Sequence, residues 1–185
     1  VIGPSAAAAL AATDGAVGVI ATEATTASGA YERALAERDP RREIVARACP
    51  LLVPIVEEGR AESDPIVLHV LSDYLRDLQR RRPGALILGC THYPLLAGAI
   101  AKLMGPDVPL IHAGRATAVE VQRRLAAASL ARPGERPGRL RCFTTDNPQR
   151  FARLGARFGG QALDAVESVG TDELAAAPPE FLEHV

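Results

Sequence analysis

The sequence predicts an α/β fold of mostly parallel sheets flanked by helices. Short aliphatic and β-branched runs alternate with amphipathic stretches, the pattern of βα units around a parallel sheet. Each run is followed by a stretch long enough to form a covering helix. Apolar residues make up 48% of the chain and charged residues 23%, so a globular core is affordable, and an aromatic share of 4% with no Trp makes that core aliphatic and Ala-rich.

In chain order, the expected strands are Val17–Ala21, Ile44–Ala48, Ala85–Leu88, Pro109–Ile111, Leu140–Thr144 and Ala165–Val169. The expected helices between them are Ser28–Arg38, Pro65–Arg82, Leu95–Met104, Ala116–Leu130 and Pro148–Phe158. The best-marked helix begins at Asp64-Pro65, where Asp can accept from the first amides and Pro occupies a position whose N–H would be orphaned anyway. Its apolar stripe is Val67, Leu71, Tyr74, Leu75 and Leu78, and Arg80–Arg82 favour its negative end before Gly84 stops it. PGERPG at 133–138 reads as a loop, and no low-complexity tract stands out beyond Ala-rich patches such as 6–12 and 175–177. The chain opens on Val with a strand-like VIG, which suggests that upstream sequence is absent.

A net charge of −1 with dispersed Lys and Arg gives no footprint for nucleic acid or an anionic membrane. No apolar run approaches the roughly 20 residues that span a bilayer, and the first residues lack the basic start of a secretory signal, so a cytoplasmic protein is expected. Cys49, Cys90 and Cys142 form no C-x-x-C pair, so neither a disulfide framework nor a zinc ribbon is suggested. His112 has no second ligand at metal spacing, and no metal site is expected. His69 reads as structural.

The stretch Ala85-Leu-Ile-Leu-Gly-Cys-Thr-His-Tyr-Pro-Leu-Leu96 carries the chemistry: a buried strand, a Gly turn, then Cys90, Thr91 and His92. In parallel sheets the carboxyl ends of strands form the ligand crevice. A thiol two residues before an imidazole can be held as a reactive thiolate. On spacing alone a buried structural Cys is the better reading, and Glu57 and Glu58 alone read as a solvated pair opening a loop.

GCTHYPLL at 89–96 resembles the second catalytic signature of the aspartate/glutamate racemase family, and of its glutamate racemases in particular. ACPLLVPIVEEG at 48–59 is similar to the family's carboxylate-bearing segment, ATEATTASGAY at 21–31 to its threonine loop, and VIGPSAAAAL to the stretch that closes its first strand-rich region. The resemblance implies two pseudo-symmetric α/β domains, the first incomplete: 1–15 ends that domain, 16–112 forms the second, and 113–185 returns to the first with more exposed apolar surface than an ordinary monomer. It implies cofactor-independent interconversion of L- and D-glutamate by two cysteines acting on opposite faces of the substrate, supplying D-glutamate for peptidoglycan. Cys90 matches the second thiol, His92 its assistant and Glu57 a tuning carboxylate, while Thr22, Thr25 and Thr91 match the substrate-binding groups. Neither pyridoxal phosphate nor metal is implied. The partner is glutamate, with no nucleic acid or membrane, and a homodimer is left open.

The family's first thiol matches nothing in this sequence. Cys49 and Cys142 read as core residues, so the chain alone is expected to be inactive. An aspartate or other small-acid racemase, a Cys–His hydrolase and a ligand-binding module without catalysis remain alternatives.

Overall fold

The computed structural model describes residues 1–132, 140–163 and 165–172. The chain divides into two compact units, Val1–Pro133 and Gly134–Val185. The PGERPG loop and the 175–177 patch lie outside the described residues.

The first unit holds a parallel sheet of β1 (Val17–Ala21), β2 (Ile44–Ala48), β3 (Ala85–Leu88) and β4 (Leu110–His112), in the order β2-β1-β3-β4. β1 and β3 are buried along their whole length, as central parallel strands with both faces covered must be. One face carries Ile20, Leu86 and Leu88. It packs on α4 (Leu52–Glu57), α5 (Pro65–Arg81) and α6 (Ala97–Met104) through Leu52, Val56, Leu71, Leu75, Leu78 and Ile100. The other face carries Val17, Val19 and Ile87 against Ala6 and Ala9 of α1 (Ile2–Ala12) and Tyr31 and Leu35 of α3 (Ala30–Ala36). α7 (Ala113–Ala127) lies beside α1 and β4. Among the described residues no helix is long and apolar enough to cross a membrane.

The second unit pairs β5 (Cys142–Thr144) with β6 (Val166–Ser168) in parallel, next to α8 (Pro148–Gly159). The Asn147 side chain caps α8 by accepting from the Arg150 amide at 2.8 Å. Of the twelve large apolar side chains left exposed among the described residues, eight lie beyond residue 113, including Val119, Leu130, Phe143 and Phe158.

Several expectations are corrected. The opening VIG is not a strand: Ile2 and Gly3 start α1, because the alanines that follow are the strongest helix formers and Pro4 sits in a first turn that needs no amide donor. Gly84 does not stop α5. Arg82 does, in the left-handed region at φ 47°, and Pro83 after it cannot continue the helix. Tyr74 sits only half-buried at the edge of the α5 stripe. α7 starts at Ala113 rather than Ala116, and α3 is preceded by a separate short helix, α2 (Glu23–Ala27). β4 is shifted one residue on, and β5 and β6 are shorter than expected. His69 is exposed on α5.

Candidate active site

The turn after β3 is fixed by close packing. The Gly89 amide donates to the Ile20 carbonyl at 2.8 Å, and a Cβ on Gly89 would lie 2.9 Å from both that oxygen and Tyr31 Cε2. Only glycine allows β3 to leave the sheet this close to β1, which delivers Cys90 to the carboxyl edge. Because Ile20 and Leu88 are paired in register, Thr22 and Cys90 follow neighbouring strands at the same level.

His92 bridges Glu57 and the turn that carries Cys90 and Thr91. Its Nε2 lies 3.1 Å from Glu57 Oε1, and its Nδ1 lies 3.8 Å from Cys90 Sγ and 3.3 Å from Thr91 Oγ1. A carboxylate can only accept, so Nε2 carries the proton and a neutral ring presents the Nδ1 lone pair to the thiol. Nδ1 can then take the Cys90 proton, and Glu57 stabilises the imidazolium that forms. With side chains 19% and 30% exposed, His92 and Glu57 lie where solvent screens their interaction only in part. Glu57 therefore does not open a loop; it is the last residue of a helix. α4 forms because Leu52, Ile55 and Val56 bury one face of a short segment.

Thr22 caps α2, its Oγ1 accepting from the Thr25 amide at 3.4 Å and donating to Thr25 Oγ1 at 3.0 Å. The structure thus gathers Glu57, Cys90, Thr91 and His92 in one cluster and pairs Thr22 with Thr25 at the end of the adjacent strand. Burial pushes the Cys49 thiol up to about 12, against a slight lowering by Arg47, so it stays neutral at ordinary pH. Burial likewise raises the phenol of Tyr31, against a lowering by its hydrogen bond with Ser5, and raises that of Tyr93 together with the neighbouring Cys49, so Tyr93 stays a protonated donor. Among the described residues no three His, Cys, Asp or Glu side chains gather as metal ligands.

A sequence model described as Asp/Glu/hydantoin racemase matches residues 1–121. The chain belongs to that family. Among its relatives, the glutamate racemase of Mycobacterium tuberculosis is 45% identical over 172 residues, which are 91% of this chain and 62% of that one. Two crystal structures share its fold. The glutamate racemase isoform from Bacillus anthracis superimposes with a TM-score of 0.85 at 36% identity, covering 92% of this chain and 63% of that one. The glutamate racemase from Francisella tularensis, solved in complex with D-glutamate, gives 0.82 at 33% identity, covering 93% and 63%. The chain thus spans about three-fifths of the length of the relatives it matches.

Two residues of the site escaped sequence reasoning. The Tyr93 hydroxyl donates to the Cys49 carbonyl at 2.9 Å, and Glu62 Oε1 accepts from the Gly98 amide at 2.6 Å and the Ala99 amide at 3.2 Å. Tyr93 stands inside GCTHYPLL but reads as an ordinary core aromatic. The partners of Glu62 are 36 and 37 residues away, and no spacing signals them.

Proposed function

We propose that this chain carries one side of a glutamate racemase site, with Cys90 as the thiol that exchanges a proton with the α-carbon of glutamate. The observation that carries the reading is the Cys90–His92–Glu57 relay at the carboxyl edge of the sheet, at the level of Thr22. In one direction the Cys90 thiolate takes the α-proton of one enantiomer, forming an S–H bond and leaving the electron pair on the α-carbon. In the other, the Cys90 thiol returns a proton to that carbon and His92 restores its protonation. Thr22, Thr25 and Thr91 are read as hydrogen-bonding groups for the carboxylates and ammonium of the substrate.

Inversion needs a second acid on the opposite face of the planar intermediate. Cys49 is fully buried with a raised pKa and cannot serve, and Cys142 lies on β5 in the other unit. These 185 residues are accordingly read as unable to racemise by themselves. The division into 1–15, 16–112 and 113–185 is part of the same proposal, and the apolar side chains exposed beyond 113 support it. So is a cytoplasmic setting in which D-glutamate serves peptidoglycan synthesis, with a homodimer as the assembly to test by light scattering.

The test is α-proton exchange in D₂O with each glutamate enantiomer, followed by NMR, with chirality followed by circular dichroism. Exchange of one enantiomer without inversion, abolished in Cys90→Ala, is the expected result. Inversion by this chain alone, or exchange undiminished in Cys90→Ala, overturns it. Aspartate run in parallel distinguishes a racemase of another small acid. The Cys–His–Glu order also suits acyl transfer, in which Cys90 forms a covalent intermediate. Iodoacetamide-sensitive ester hydrolysis without α-exchange would favour that second reading.

A further inference from the structure

The helix that carries Glu57 is too short to hold itself in place. α4 has six residues, includes Pro54, and has no side-chain cap at its start. Isolated helices of this length are not stable in water, so its position comes from tertiary ties. At its start, the Cys49 carbonyl accepts from the Leu52 amide at 3.2 Å and from the buried Tyr93 hydroxyl at 2.9 Å. Tyr93 is fully buried and directly follows His92, so one oxygen fastens the His92 turn to the beginning of the Glu57 helix.

The other end is also fixed. The Gly59 amide donates to the Val56 carbonyl at 3.0 Å and the Arg60 amide to the Ile55 carbonyl at 3.3 Å, with Gly59 left-handed at φ 88°. That paired termination stops α4 immediately after Glu57 and turns the chain. Glu62 then reaches the open amides of Gly98 and Ala99 at the start of α6. The contact between Glu57 and His92 therefore lies between two ties joining the same two segments, one buried at Tyr93 and one exposed at Glu62.

We infer that Tyr93 is a positioning residue that sets Glu57 against His92 and so governs proton removal from Cys90. It does not act on substrate, and the inference rests on the assignment of Cys90 as the reacting thiol. The raised phenol keeps Tyr93 a donor over the pH range in which a thiol titrates. The titratable groups that bear on Cys90 are His92 on its own turn, Glu57 from α4, Tyr31 from α3, and Tyr93.

The experiment measures the pH dependence of Cys90 alkylation in this chain, reading the Cys90 peptide by mass spectrometry so that Cys49 and Cys142 do not contribute. Glu57→Gln weakens support for the imidazolium and moves the midpoint to higher pH. Tyr93→Phe, which deletes one oxygen, moves it in the same direction and slows alkylation at neutral pH by about three- to tenfold, the worth of one buried hydrogen bond. In a Glu57→Gln background Tyr93→Phe adds nothing further. Glu62→Gln, at the exposed tie, shifts the midpoint less than Tyr93→Phe. The inference is overturned if Tyr93→Phe lowers the melting temperature and leaves the midpoint in place, if its effect is undiminished in the Glu57→Gln background, or if Glu57→Gln itself has no effect. Since no substrate is added, a failed glutamate exchange assay would overturn the racemase reading and leave this result standing.

Discussion

Glu57 and His92 meet at 3.1 Å across 35 residues of sequence, and their contact decides which nitrogen of the imidazole carries the proton. A ring held by Nε2 on a carboxylate can accept at Nδ1. In the other tautomer Nδ1 would present an N–H to the sulfur and could not accept its proton.

His92→Ala is accordingly expected to lower α-proton exchange by about 10²–10⁴-fold, the usual worth of a positioned acid–base group. Glu57→Gln keeps the ring in place and removes only the charge, so its loss is smaller than that of His92→Ala. Deuterium incorporation followed by NMR checks both, and equal losses would show that Glu57 does more than orient the ring.

Thr22→Val and Thr25→Val replace a hydroxyl with a methyl of similar size, the first just after β1 and the second on α2. If these hydroxyls hold a charged substrate, each deletion weakens glutamate binding by about 10- to 100-fold while leaving the rate of Cys90 alkylation unchanged. Isothermal titration measures the first and iodoacetamide kinetics the second.

Gly89→Ala places a methyl group 2.9 Å from both the Ile20 carbonyl and Tyr31 Cε2. The strand pair must separate or Tyr31 must move, and overpacking of this kind costs about 1–3 kcal/mol. Urea denaturation of the variant checks the magnitude, and wild-type stability would show that the turn relaxes freely.

Cys49 supplies a pH prediction. Its thiol, ordinarily near 9.0, is raised to about 12 in the folded chain, so the folded state holds its proton while the unfolded state releases it. Its contribution is present in full below pH 9 and is lost as pH rises toward 12; three pH units correspond to roughly 4 kcal/mol. Cys49→Ala should flatten the alkaline fall in stability between pH 9 and pH 11, as read by urea midpoints at each pH.

The central strands Val17–Ala21 and Ala85–Leu88 were legible because buried parallel strands read as unbroken aliphatic runs, and the edge strand Ile44–Ala48 also stands where the pattern placed it. α2 and α4 were not legible, since five or six residues are less than two turns: α2 is set by the Thr22 cap, and α4 by what Leu52, Ile55 and Val56 bury. α1 was hidden by a β-prone opening that the alanines override. At the site, Cys90, His92 and Glu57 were named from resemblance to a family, and their bonding order was not written in spacing. Tyr93 and Glu62 carried no signal, because a tie between segments shows only after both have folded.

The crowding around Gly89 also sets a clock. With its amide held by Ile20 and no room for even a methyl group, the backbone beneath Cys90 cannot swing as a gate. What remains free is rotation about the Cα–Cβ bond of a half-exposed side chain, a motion of picoseconds to nanoseconds rather than the microseconds to milliseconds of loop opening. The sulfur thus reorients far faster than any rearrangement of the loop that carries it.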